Sequence, residues 1–333
     1  MRRMNGMAWK TPAGVLILGA SLLLAAPPAT KPAAPKGYES QTAVLAAIQS
    51  GELKLINVFE PVPESVSVTP DVEYGKGGGE SLKLDLYQPK RLEGKAPGLI
   101  LIHGGAWKGG RRTDYRYYCV RLAERGYVVA TISYRLVKTA TFPAAVQDAK
   151  CAVRWLRANA EKYHVDPNRI GVMGGSAGGH LAMMVGYSPD VPELEGDGGN
   201  QGVSSRVQAV VNFYGPTDLT TPFARNNGVV SDFIGKPYAE AADQYRLASP
   251  LTHLTAGDPP TLILHGTIDN VVPIDQADAL DKRLAELKVP HEYVRLEGWP
   301  HAMDLSEEVN RYCLWHIERF LDKYLKAPDK PPA

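Results

Sequence analysis

Gly171-Val-Met-Gly-Gly-Ser176-Ala-Gly-Gly-His180 is the stretch from which the rest of the chain can be read. It follows a β-like run, Arg169 to Gly174, and leads into a helix-like one, His180 to Tyr187. Within it, Gly174-x-Ser176-x-Gly178 fits a nucleophile elbow, a strained strand-to-helix turn with small residues on both sides of a serine. Such a turn sets the hydroxyl at a helix N-terminus, where free N–H groups favour developing negative charge. The same spacing also describes a Gly-rich phosphate-binding turn or a plain tight turn. Its surroundings must therefore decide.

Around the elbow, β-like and α-like segments alternate. Gly98–His103 (GLILIH) and Tyr127–Tyr134 (YVVATISY) are continuous apolar runs, the pattern of strands buried on both faces of a parallel sheet. Val207–Tyr214, Thr261–His265 and Glu292–Leu296 read as further strands. Tyr115–Arg125, Ala144–Lys162, Ile274–Leu287 and Leu305–Leu325 read as helices between and after them. Upstream, Gln41–Leu55 can form a short helix, while Val66–Tyr74 and Ser81–Tyr87, joined by a turn at Gly75–Gly79, read as an antiparallel edge. The fold class is α/β: a mostly parallel central sheet flanked by helices. Two stretches, Ser188–Ser205 and Pro216–Leu254, look irregular and are expected to overlie the pocket and set specificity.

Loops that leave the carboxyl ends of such strands build the ligand site. A serine hydroxyl is a poor nucleophile and needs a base, itself held by a third group. Two later loops offer both. Asp269 lies in Gly266-Thr-Ile-Asp269-Asn-Val-Val-Pro273, and His301 in Glu297-Gly-Trp-Pro-His301, each just past a strand. The order Ser176, Asp269, His301 is the one the α/β-hydrolase arrangement requires. His103-Gly104-Gly105-Ala106-Trp107 follows the strand Gly98–His103 as an oxyanion loop would, with the N–H groups of Gly104, Gly105 and Ala177 as donors. Trp107 and Tyr214 are candidate walls for a sugar or aromatic acyl group. Asp304-Leu-Ser-Glu307 resembles a capping box opening the last helix. Asp148, Asp218, His180 and His265 read as structural.

The chain has 333 residues, 44% of them hydrophobic, enough for one full core once a leader is removed. With 37 basic and 36 acidic residues, no charge excess points to nucleic acid. Three cysteines, Cys119, Cys151 and Cys313, are too few for a disulfide framework, although one bridge would be possible. No CxxC or HExxH occurs, so neither metal nor cofactor is expected. Residues 1–30 read as an export signal: Arg2, Arg3 and Lys10 precede the apolar run Ala13–Ala26, too short to span a bilayer. A secreted or periplasmic protein is expected. Residues 31–64 read as linker and N-terminal extension, 65–326 as the catalytic domain and 327–333 as a disordered tail.

The motifs HGGAW, ISYRL (132–136), DAKCAVRWLRANA (148–160), DPNRIGVMGGSAGGHLA (166–182), FYGPTDL (213–219), LHGTIDNVVP and PHAMD together resemble the exported α/β-hydrolases grouped as bacterial feruloyl and acetyl esterases. These neighbour the hormone-sensitive-lipase-like esterases. GGSAGG in place of GDSAGG, and HGGAW in place of HGGGW, depart from the latter group without touching the mechanism. The resemblance implies Ser176 as nucleophile, His301 as base, Asp269 as its orienter and the HGG loop as the anion site. It implies a serine esterase acting on small esters or acylated plant-type polysaccharide. Two other readings of the same scaffold are an amide hydrolase of arylformamidase or peptidase-like kind, and a non-catalytic carbohydrate-binding descendant.

Overall fold

The computed structural model describes residues 30–189 and 191–326. The stretches read above as an export signal and a tail fall, apart from Thr30, outside the described residues. Eight strands form one sheet: β1 (Val66–Gly77), β2 (Glu80–Pro89), β3 (Ala96–Ile102), β4 (Val128–Ile132), β5 (Val165–Gly175), β6 (Ala209–Phe213), β7 (Thr261–Gly266) and β8 (His291–Leu296). Their spatial order is β1-β2-β4-β3-β5-β6-β7-β8. β1 pairs antiparallel with β2, and β2 antiparallel with β4. From β4 to β8 every pairing is parallel. This is the sheet of an α/β-hydrolase.

The apolar runs explain that geometry. β3, β4 and β6 are buried along their whole length, because helices cover both faces. Side chains alternate between the two layers. Ile100 and Ile102 of β3 face one core; Leu99 and Leu101 face the other. The first core packs against α3 (Ala144–Ala158) and α4 (Ala177–Tyr187). The second packs against α2 (Arg116–Glu124) and α11 (Glu307–Leu321). α4 is buried at every position, as expected of a helix that is apolar all round.

Gly178, in the first turn of α4, sets the depth of that helix. A Cβ there would stand 2.0 Å from the carbonyl oxygen of Ile102 and 2.6 Å from that of His103. Only glycine lets the helix rest directly on the end of β3.

Three expectations are corrected. The stretch 216–254 is not irregular: it holds α6 (Pro222–Arg225), α7 (Gly228–Ile234), α8 (Tyr238–Leu247) and α9 (Pro250–His253). These helices are too short for periodicity to show. The stretch 188–205 carries α5 (Pro192–Glu195) and is tied to α3. Lys150 and Arg154 of α3 pair with Glu195 at 2.7 and 2.9 Å. Nor does packing start only at residue 65, since the extension at 37–64 folds onto the body and holds the expected short helix. α1 (Gln41–Ser50) folds there, Leu55 bridges Ser306, and the Ile56 N–H donates to the Leu305 carbonyl at 2.9 Å. The packed body therefore begins well before residue 65. Cys119, Cys151 and Cys313 are all free and buried. No helix of the described residues is long and apolar enough to cross a membrane.

Overpacking a tight backbone contact costs about 1–3 kcal/mol. Gly178→Ala is therefore expected to lower unfolding free energy by about that amount in a urea melt. Unchanged stability would show that the approach of α4 to β3 is looser than these contacts require.

Candidate active site

Ser176 stands between β5 and α4 with φ 56° and ψ −124°, a positive-φ conformation that a non-glycine residue adopts only under strain. Its N–H donates to the Phe213 carbonyl at 2.9 Å, which ties the turn to the end of β6. The loop after β3 comes in from the other side. A Cβ at Gly104 would lie 3.3 Å from Ser176 Cβ and 2.9 Å from the Gly175 carbonyl oxygen, so this loop abuts the turn.

Two further loops complete the arrangement. They are laced to each other: Thr267 N–H donates to Leu296 O (3.0 Å), Ile268 N–H to Trp299 O (3.2 Å) and Gly298 N–H to Thr267 Oγ1 (2.8 Å). Trp299 anchors the second loop in the core, and Tyr38 of the N-terminal segment meets its ring edge-on at 5.5 Å. The result is a continuous hydrogen-bonded series. Ser176 Oγ lies 2.9 Å from His301 Nε2, and His301 Nδ1 lies 2.6 Å from Asp269 Oδ2. A carboxylate on Nδ1 fixes the tautomer whose Nε2 is free to accept the serine proton.

Asp269 is held in its charged form. Burial alone would raise its pKa, but hydrogen bonds from His265 and His301, the His301 charge and the Val272 N–H outweigh it and bring it down to about 2. Oδ1 accepts from the N–H groups of Val271 and Val272 at 2.8 and 2.9 Å. His265, buried at the end of β7, has Nε2 2.9 Å from Val272 O and 3.2 Å from Asp269 Oδ2. It is scaffold, but scaffold of this very loop.

The amide donors are placed by equally local means. His103 Nδ1 lies 2.7 Å from the Gly104 carbonyl oxygen, and the Tyr134 hydroxyl lies 3.5 Å from the same oxygen. Burial lowers the His103 pKa, which favours a neutral ring donating from Nδ1. Because C=O and N–H point opposite ways across a trans peptide, fixing the Gly104 carbonyl aims the Gly105 N–H the other way. Ala177 opens α4, so its N–H has no partner within the helix.

The sequence reading misplaced two residues. Trp107 does not wall the cleft: it is 3% exposed, stacked on Phe233 of α7 at 4.2 Å and edge-on to His180 at 5.1 Å. It fastens the 216–254 insertion to the HGG loop. Asp304 is no helix cap. Ser306 holds the N-cap position of α11, and Asp304 is buried, with Tyr118 OH donating to Oδ2 at 2.8 Å and Tyr214 OH donating to Oδ1. Burial pushes the Asp304 carboxyl up, against the pull of those hydroxyls and of His301. Tyr214 does line the cleft, with its ring 4.6 Å from the His301 ring. The resemblance to a capping box hid Asp304; its position three residues after His301 was the available signal. Asp148 binds Arg135 (2.7 Å), His180 Nε2 lies 2.7 Å from the Ala248 carbonyl, and Asp218 closes a local turn with Thr220, all as structural residues.

Ser176, His301, Gly104, Gly105 and Tyr214 share a cleft of about 410 Å³. Neither 188–205 nor 216–254 contributes to its walls, so their expected place over the pocket is also corrected. A larger groove of about 580 Å³, between the N-terminal segment and α11, holds none of these residues.

Fold and site together define an α/β-hydrolase with a Ser–His–Asp arrangement of the serine-hydrolase kind. The chain belongs to the BD-FAE family, whose model matches residues 84–284. It is 33% identical over 288 residues to esterase LipQ of Mycobacterium tuberculosis, covering 83% of this chain and 66% of that protein. The chain spans 66%, 60% and 57% of the lengths of the first three curated relatives. Among solved structures, a truncated carbohydrate esterase from gut microbiota superposes with TM-score 0.69 at 28% identity, covering 80% of this chain and 99% of that one. Butyrate-bound Est2, an esterase of the Planctomycetes species Thermogutta terrifontis, gives TM-score 0.67 at 27% identity, covering 79% and 94%.

Asp269→Asn is expected to lower kcat about 10⁴-fold by favouring the wrong imidazole tautomer. Because the folded pKa of Asp269 lies below the unfolded value, its contribution to stability is present above about pH 4 and lost as pH falls towards 2. Wild type should therefore lose about 2–3 kcal/mol more than the Asn variant between pH 5 and pH 2, read by urea melts. Parallel acid profiles for the two proteins would contradict the assignment.

Proposed function

We propose that the protein is a carboxylic ester hydrolase working through an acyl-enzyme at Ser176. The observation that carries this reading is the unbroken series from Ser176 Oγ through the imidazole of His301 to Asp269. His301 takes the Ser176 proton as Oγ attacks the ester carbonyl carbon. The carbonyl oxygen gains the charge and is received by the N–H groups of Gly104, Gly105 and Ala177. His301 then gives its proton to the departing alcohol. In the second half, water loses a proton to His301 and attacks the acyl carbon, and the acid leaves as Ser176 regains its proton. Each amide donor contributes about 3–4 kcal/mol of barrier lowering in such sites.

The substrate we propose is an acetyl or feruloyl ester of a plant-type polysaccharide. Support comes from the structural neighbour described as a carbohydrate esterase and from the Tyr115, Tyr117, Tyr118 and Tyr214 side chains around the cleft. We also propose that the protein is exported, on the basic and apolar segments of its first 30 residues.

Ser176→Ala and His301→Ala are each expected to lower kcat by several orders of magnitude with the fold kept. A panel of acetyl, butyryl and feruloyl esters, acetylated xylan and an N-formyl amide measures this. Preference for the amide would replace the ester reading. Failure of a fluorophosphonate to label Ser176 in folded protein would leave only a binding role. For export, N-terminal sequencing of protein recovered outside the cytoplasm should begin beyond the Ala13–Ala26 run.

A further inference from the structure

The cleft has a wall that belongs to neither the matched family segment nor the reacting groups. Residues 53–60 run as a strap outside the 84–284 match, extended over 54–57 and ending in a turn where the Glu60 N–H donates to the Asn57 carbonyl at 3.2 Å. Leu53 is buried, and the Leu53 N–H donates to the Ala47 carbonyl at the end of α1 (2.9 Å). The strap is then sewn to the segment just after His301. Ile56 N–H donates to Leu305 O at 2.9 Å, and Glu307 N–H donates to Lys54 O at 2.9 Å. At its far end Glu60 pairs with Arg121 at 3.0 Å. Side chains alternate along the extended part, and the turn that follows keeps Val58 on the side of Ile56. Here Ile56 and Val58 turn into the cleft that holds Ser176 and His301, while Leu55, Asn57 and Phe59 face outward.

The cleft is also lined by Val271 and by Leu305, the strap's hydrogen-bonded neighbour, 50% and 42% exposed. Scattered exposed apolar residues need no explanation, but contiguous ones mark a binding surface. Among the described residues, two of the five exposed large hydrophobics, Val271 and Leu305, line the cleft beside Ile56 and Val58. Resting on the ester-hydrolase reading, we propose that Ile56 and Val58 are specificity-determining residues that grip an apolar hydrocarbon part of the ester, aliphatic or aromatic. The strap thereby favours esters with such a group over those with only short or polar ones, and so, of the two acyl groups proposed above, feruloyl over acetyl. The same chemistry can come from the acyl side or the alcohol side.

The test is selectivity. Full-length wild type, Ile56→Ala, Val58→Ala and the double variant are assayed on p-nitrophenyl acetate, butyrate and octanoate for the acyl side. Methyl, butyl and octyl acetate serve for the alcohol side. A control variant, Leu45→Ala, removes another exposed hydrophobic, on α1. In wild type, kcat/KM should rise with chain length in one of the two series, and that arm identifies the gripped group. The double variant should reduce the long-to-short kcat/KM ratio in that series by about tenfold, the scale of a few methylene contacts. Leu45→Ala should leave the ratio unchanged, and melts of each variant keep loss of fold apart from loss of grip. An unchanged ratio in the double variant, or equal loss on all esters, overturns the wall while leaving the hydrolase reading intact. No turnover of any ester by wild type that still labels with a fluorophosphonate sinks the ester reading, and this inference with it.

Discussion

The contact on which the site depends is backbone against backbone: the first turn of α4 resting on the carboxyl end of β3 at Gly178. That depth does two jobs with one constraint. It forces Ser176 into a left-handed conformation that lifts its side chain clear of the sheet. It also brings the turn against the loop bearing Gly104 and Gly105, so that nucleophile and amide donors cannot be placed independently. The strain at Ser176 is sustained by the surrounding buried packing, since every residue of α4 lies in the core.

Electrostatics around His301 follow from how two carboxyl groups are solvated by the protein. Asp269 is buried among donors: two backbone N–H groups, His301, and His265 close by. It remains charged far into acid. Asp304 is equally buried, yet it has phenol hydroxyls in place of ring N–H groups, and burial pushes its pKa up. Tyr214 lies between the two carboxyl groups, its ring against the imidazole and its hydroxyl on Asp304. The imidazole thus has a fixed negative charge on its Nδ1 side and an aromatic face beside it.

All eight strands were legible in the sequence, the central ones because burial on both faces writes a continuous apolar run. The elbow and the loops carrying Asp269 and His301 were legible because each sits one step beyond such a run. What the sequence concealed was of another kind. Helices α6 to α9 span four to ten residues, below what periodicity resolves. Trp107 looked like a pocket wall because it follows the glycines, but its partner, Phe233, lies more than a hundred residues away in the chain. Asp304 matched a local capping pattern, while its real partners, Tyr118 and Tyr214, come from other elements. Local pattern reports the backbone; long-range contacts decide which side chains meet.

The same distinction divides the molecule by function. The family match, 84–284, contains the sheet centre, the glycine loop, Ser176 and Asp269. His301 lies beyond its end, and the strap at 53–60 lies before its start. These outer segments are joined directly, Ile56 to Leu305, Lys54 to Glu307 and Tyr38 to Gly298. Reaction chemistry needs the fixed geometry that buried parallel strands supply. Substrate preference needs only a surface that can be exchanged without disturbing them. A strap hydrogen-bonded through its backbone meets that need: its inward side chains can change while the bonds that hold it, and the loop of His301 beside it, stay in place.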